Sequence, residues 1–386
     1  MTVIPTIVVV LLSACGANSV SPSATASIER TAAPSGELDL ASLGWYRWES
    51  LAELARGNAP ALRFGLLDGT THRIEVGTGP VGPFGVGTGP FPFADGPRTG
   101  TLIYGRDDGT RSGLHAISVR TGESRLVVES EEIIWTAGIG PSGADVYYLL
   151  VARATGAQLG LWHFNIDQDE EPTLVVPPVA AAARPPDVIL AARVAFHATL
   201  TFSADGSRVG LRVCAAGPCT LAVLNTGSGE VREYRIGDPS PVIGLGTAFA
   251  IVDAIAPDGP EAGLLAIDLA TGDRTQLADV ISGAAMVEVD GADVVIFGVG
   301  DPDDQRGTSL FASELPPGGA TQALGRVDEA WRIQSPSSDP SVGVELPPGW
   351  FLVFRGQPGV DPDHPVGYVA VRLVDLHAIV LDALDD

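Results

Sequence analysis

Apolar and polar residues alternate with a period of two through much of this chain, in short runs broken by glycine-containing turns. Leu264–Leu277 (LLAIDLATGDRTQL) is the clearest stretch: an alternating run, a Thr-Gly turn, then a second alternating run. Successive side chains of a strand point to opposite faces, so this phrase predicts a β-hairpin. It recurs at Leu114–Val127, Leu161–Val175 and Leu221–Tyr234. Weaker copies stand at Leu62–Val76, Leu310–Leu324 and Tyr368–Leu381. The segments between them supply further strands. Ile133–Val151 turns at Pro141-Ser142-Gly143-Ala144, and His197–Val213 turns at Ala204-Asp205-Gly206-Ser207.

Hairpin starts fall some 43 to 60 residues apart, and four strands per unit near a period of about 40–50 predict the blades of an all-β propeller. A sandwich does not repeat seven times, and the coils of a parallel β-helix are shorter and more regular. Seven hairpin units predict seven blades. Six or eight stay open, because Leu43–Arg56 (LGWYRWESLAELAR) reads equally well as a short helix. The turns and flanking runs are similar to the WD40-like blades of the TolB type, in which a Ser-Pro-Asp-Gly turn precedes the second strand. That resemblance implies an architecture and says little of function, since one propeller fold hosts many activities.

The first residues follow another pattern. Val3–Leu12 is an apolar run, too short at 1.5 Å per residue to cross a hydrocarbon core of about 30 Å. Its length suits the apolar region of a signal peptide. Leu12-Ser13-Ala14-Cys15 resembles the lipobox of bacterial lipoprotein precursors, although no basic residue precedes the run. The resemblance implies cleavage before Cys15 and its acylation, hence a membrane contact through lipid on the extracytoplasmic side of the cell envelope. Gly16–Gly36, rich in Ser, Ala, Thr and Pro, reads as a flexible tether. The expected division is therefore a signal peptide over 1–14, a tether over 15–36 and the propeller over 37–386.

Composition narrows the function. All 23 basic residues are arginine, against 47 acidic ones, for a net charge of −24. Such a charge repels the phosphate backbone, which argues against a nucleic-acid partner. With 47 Gly and 30 Pro a helical bundle is excluded, and 45% hydrophobic residues exclude a disordered chain. Cys214 and Cys219 flank a four-residue loop between two strand-like runs, at a separation a disulfide bridges. Reduced thiols or a metal half-site are the alternatives, the latter weakened by the lack of nearby His or Cys.

No catalytic motif stands out: there is no G-x-S-x-G, H-E-x-x-H, phosphate-loop or EF-hand pattern. His72, His115, His163 and His377 fall within alternating runs and read as ordinary strand positions. The glycine-rich Val76–Pro92 reads as a linker between blades. Trp135, Trp331 and Trp350 read as packing residues at strands. Trp45, Tyr46 and Trp48 read as packing of the N-terminal segment on the first blade, with an exposed carbohydrate- or protein-binding patch as the alternative. The acids are more telling, because connectors between second and third strands of all blades share one face. Asp107 and Asp108 fall in one such connector, Asp258 and Glu261 in another, Asp301, Asp303 and Asp304 in a third, and Asp361 and Asp363 in a fourth. A rim of carboxylates raises local cation concentration, and Asp301, Asp303 and Asp304 offer hard oxygen ligands for Ca²⁺. Solvated turns are the plainer reading of the same residues.

Two expectations result. The first is a non-catalytic binding module that presents a loop face to a protein or polymer partner and needs no cofactor. The alternative is a Ca²⁺-dependent propeller enzyme, a hydrolase, lactonase or lyase, using the acidic face.

Overall fold

The computed structural model describes residues 43–48, 61–74, 94–95, 100–107, 109–168, 171–179, 197–214, 219–236, 242–254, 263–279, 281–300, 307–315, 321–327, 331–334, 342–344, 346–355 and 367–380. All of them belong to the compact unit Glu37–Asp386. They form strands and turns only, and the strands assemble into seven four-stranded antiparallel sheets. The chain is a seven-bladed β-propeller.

Blade 1 contains β1 (Leu43–Trp48), β2 (Leu62–Leu66) and β3 (Thr71–Ile74). Blade 2 runs through β4 (Ala94–Asp95), β5 (Thr101–Asp107), β6 (Ser112–Ser118) and β7 (Ser124–Ser130). Blade 3 is β8 (Ile133–Ile139), β9 (Asp145–Val151), β10 (Gln158–Asn165) and β11 (Thr173–Val176). Blade 4 follows with β12 (His197–Phe202), β13 (Arg208–Cys214), β14 (Thr220–Asn225) and β15 (Val231–Arg235). Blade 5 holds β16 (Val242–Leu245), β17 (Phe249–Ala254), β18 (Gly263–Asp268) and β19 (Arg274–Ala278). Blade 6 holds β20 (Gly283–Val289), β21 (Ala292–Gly300), β22 (Thr308–Glu314) and β23 (Gln322–Val327).

The ring closes in an unexpected way. After β24 (Trp331–Gln334), the first strand of blade 7, the chain leaves to form β25 (Val342–Val344) on the open edge of β1. It then returns to complete blade 7 with β26 (Trp350–Arg355), β27 (Gly367–Arg372) and β28 (Ala378–Val380). All seven hairpins expected from the alternating phrase are the third and fourth strands of their blades. In Leu43–Arg56, the described part Leu43–Trp48 is strand and not helix. Its side chain at Tyr46 is buried and lies 6.2 Å from the Phe64 ring of β2.

The core is a series of seams between blades. Residues on one face of β9, Tyr147, Leu149 and Val151, pack with Val209, Leu211 and Val213 of blade 4. Those on its other face, Val146, Tyr148 and Leu150, pack with Ile103, Leu114 and Ala116 of blade 2. Being covered on both faces, the strand reads as a continuous apolar run (DVYYLLV). Outer strands such as β7 and β19 are mostly exposed, while third strands such as β6 and β22 alternate fully and partly buried positions over most of their length. Trp135 is partly buried in the seam between blades 3 and 4.

One hydrogen bond repeats in six blades. The residue after the third strand donates its N–H to a carbonyl at the start of the second strand. The pairs are Val119 to Gly100 (3.0 Å), Ile166 to Ala144 (2.8 Å), Thr226 to Ser207 (3.0 Å), Leu269 to Ala248 (2.8 Å), Leu315 to Asp293 (3.1 Å) and Leu373 to Gly349 (2.8 Å). The third-to-fourth turns are closed by glycines at positive φ, as at Gly122, Gly229 and Gly272, and a side chain there would strain the backbone. In six blades, one end is therefore tied by a bond from the third-to-fourth turn to the start of the second strand.

Candidate functional site

Because neighbouring strands of a blade are antiparallel, its second-to-third connector lies at the end opposite these turns. The strand bounds put Asp107 and Asp108 at that connector of blade 2, Asp258 and Glu261 at that of blade 5, Asp301, Asp303 and Asp304 at that of blade 6, and Asp361 and Asp363 at that of blade 7. Asp107 is the last residue of β5, facing Ser112. The others lie outside the described residues, as do Cys15 and the segment 76–92. Among the described residues no group of three His, Cys, Asp or Glu is arranged to hold a metal ion, and no helix is long and apolar enough to cross a membrane.

At the turn face of blade 3, a polar node is built around Asp145, the first residue of β9. Its Oδ1 meets His163 Nε2 at 3.1 Å and accepts from Asn165 Nδ2 at 3.3 Å, while Oδ2 accepts from Ser142 Oγ at 2.9 Å. Residues 145, 163 and 165 meet because Asp145 stands opposite Asn165 and Tyr147 opposite His163 in the β9–β10 pair. Burial pushes the Asp145 carboxyl up, and the bonds from Ser142, His163 and Asn165 together outweigh it, holding it below its ordinary value. The His163 ring lies 4.7 Å from that of Tyr147, which in turn lies 5.7 Å from Phe202 of blade 4. Burial, and the charge of Asp145, push the Tyr147 hydroxyl up to about 12.

Serine, histidine and aspartate thus meet, but in the wrong order for nucleophilic catalysis. A triad needs the imidazole between hydroxyl and carboxylate, so that it can take the serine proton. Here Ser142 and His163 both bind the carboxylate, and the histidine is turned to Asp145 and Tyr147. The node orients an aromatic seam. Sequence reading placed His163 as an ordinary strand residue and missed its partner, which lies across the hairpin.

Arginine forks tie blades together. Arg125 of β7 donates to the Ile166 carbonyl of blade 3 at 2.9 Å. Arg232, at the corresponding place in β15, donates to the Leu269 and Ala270 carbonyls of blade 5 at 3.2 and 2.6 Å. Tyr234 adds a bond to the Leu269 carbonyl. The turn of blade 5 is gripped from both sides: Arg208 Nε of blade 4 donates to the Thr247 carbonyl at 3.1 Å, and the Thr247 N–H bonds to Asp293 of blade 6. A β-carbon on Gly246 would collide with Asp293 Oδ2.

At the connector end of blade 4, Val213 faces Thr220 across β13 and β14, so Cys214 and Cys219 occupy the next facing positions. Cys219 is fully buried. His72 lies within β3; His115 stacks on Tyr104 at 5.1 Å, and His377, just ahead of β28 and not within it, meets Trp350 edge-on at 6.5 Å.

No protein-family model matches the chain, and no curated protein matches its sequence. Solved structures do match its fold. Oligopeptidase B from Leishmania major aligns with a TM-score of 0.53 at 10% identity, over 88% of this chain and 47% of that one. An oligogalacturonate lyase from Vibrio parahaemolyticus aligns at 0.47 and 10% identity, over 88% and 85%. TolB from Acinetobacter baumannii aligns at 0.38 and 12% identity, over 72% and 62%. At these identities the likeness is one of fold alone, and the two lower scores carry no functional argument.

Proposed function

We propose that this chain is a lipid-anchored, extracytoplasmic β-propeller that acts as a binding module for a protein or polymer. The observation that carries the reading is the tied construction of one end of the blades. In six of them the third-to-fourth turn is bonded to the start of the second strand. The sequence between the second and third strands of blades 5, 6 and 7, outside the described residues apart from Gly307, holds most of the acidic residues singled out by sequence. Scaffolds that hold variable loops on rigid strands are suited to recognition, and a carboxylate rim favours a cationic partner surface. The Ser142–Asp145–His163 wiring adds support, since its bonds orient a seam.

A benzophenone cross-linker at position 258 or 303 is expected to capture a partner in cells, with none captured from position 121 or 271 on the turns. Equal capture from both ends overturns the reading. Thermal unfolding in EDTA and then in excess Ca²⁺ tests the enzyme alternative. Ca²⁺ at 100–1,000 times its Kd would add about 2.7–4.1 kcal/mol, and such a shift would favour it.

The anchor rests on Cys15: Cys15→Ser is expected to move the chain from the membrane to the soluble fraction. We also propose a Cys214–Cys219 disulfide, supported by the strand register and by the full burial of Cys219. Closing so short a loop contributes about 2 kcal/mol, and Cys214→Ser should lower stability by that much in denaturant titrations.

A further inference from the structure

The seam between blades 5 and 6 sets two carboxylates against each other. Glu288 of β20 stands directly opposite Asp293 of β21, so their side chains leave the same side of the sheet about 5 Å apart. That side faces blade 5: Met286, two residues before Glu288, is against Gly244, and Asp293 is against Gly246. Like charges in this position repel, and both residues are partly withdrawn from water. From blade 4, Asp205 adds a third negative charge, while Arg208 holds the far side of the Thr247 turn through its carbonyl. Asp290, at the exposed hairpin tip, is the other charge on this hairpin, and the Gly246-Thr247-Ala248 turn contributes none.

We propose that Asp293, set against Glu288, is a protonation switch that sets how firmly blade 5 is gripped between blades 4 and 6. With both ionised, repulsion opens the hairpin face against the Thr247 turn. With Asp293 protonated, its carboxyl donates to Glu288 in place of the repulsion, and its other oxygen still accepts from Thr247. The direction agrees with the local environment: burial first, then Glu288 and Asp205, raise the Asp293 carboxyl above its ordinary value, against a smaller lowering by Thr247. The proposal is independent of any ligand or compartment.

The test is thermal unfolding of the full chain and of Glu288→Gln, Asp293→Asn and the double variant at pH 8 and pH 5. At pH 8 each single variant is expected to raise Tm by about 1–2 °C, with the double variant gaining no more than one single. At pH 5 the gains shrink. Amide exchange at Thr247, corrected for its intrinsic pH dependence, should slow in the parent between pH 8 and pH 5 and change less in Glu288→Gln. Additive gains, gains equal at both pH values, or a Tm lowered by Glu288→Gln at pH 8 would each overturn the pair. Glu288→Gln leaves the Asp293–Thr247 bond in place, so it tests the pair even where Asp293→Asn disturbs the seam.

Discussion

Tyr46 of β1 lies opposite Gly343 of β25, a pairing between residues from opposite ends of the propeller. Only three residues of β25 take part, with Val342 opposite Arg47 and Val344 opposite Trp45. Blade 1 thus borrows its first strand from an excursion inside blade 7, and chain connectivity itself links the two. Gly343→Pro restricts φ and removes an N–H in the middle of this strand. It is expected to cost about 1–3 kcal/mol and to speed proteolysis between β24 and β26, checked by denaturant titration and limited digestion. Removing residues after β28, outside the closure, should leave the digestion pattern unchanged.

The seams carry the stability, so burial should rank substitutions. Leu149 is fully buried between blades 3 and 4, and Leu149→Ala is expected to cost about 2–5 kcal/mol. Leu126, on the outer strand β7, is 51% exposed, and Leu126→Ala should stay within about 0.5 kcal/mol. Paired urea titrations decide this, and equal costs would contradict a core made of seams.

A chain whose cations are all arginine uses their geometry. Arg232 reaches two carbonyls of blade 5 while its Nε holds Glu230 at 2.7 Å. A lysine ammonium has no planar fork and cannot serve both sides at once. Arg232→Lys is therefore expected to lower Tm, nearly as far as Arg232→Met, in differential scanning calorimetry. Full retention of Tm by the lysine variant would show that charge alone suffices.

Two partly buried carboxylates should respond to pH with opposite signs. Asp145 is held below its ordinary value, so its node stabilises the fold above the unfolded carboxylate range, near 3.9, and that contribution fades as pH falls through the lower folded value. Asp253 of β17 is raised by burial. Its ionisation therefore costs stability as pH rises above the unfolded carboxylate range, and the cost is complete once pH has passed the raised folded value. Asp145→Asn should lower Tm at pH 7 and Asp253→Asn should raise it, and both differences should shrink toward pH 3. Calorimetry across this range reads both signs.

Much of this architecture was legible in the sequence. The third-and-fourth-strand hairpins could be read because third strands such as β6 and β22 alternate fully and partly buried positions, which preserves the period of two. The turns at Gly122, Gly229 and Gly272 were visible for a similar local reason: positive φ selects glycine. The second strands are covered on both faces and lose their alternation, so only their neighbours marked them. The candidate site was less legible. The acidic connectors could be assigned to one end of the blades by counting strands, whereas the Asp145–His163 and Thr247–Asp293 contacts could not.

The sequence by itself determined the repeat, the strand content and the charge, because periodicity, turn residues and composition act over a few neighbours. Only the tertiary structure decided which strand completes blade 1, which carboxylates face one another and which carbonyls the arginines reach. Val342–Val344 is too short to show a period, and its identity as a strand comes entirely from the edge of β1 that it covers. Contacts of that kind join residues remote in the chain, and their energy appears only when the ring is closed.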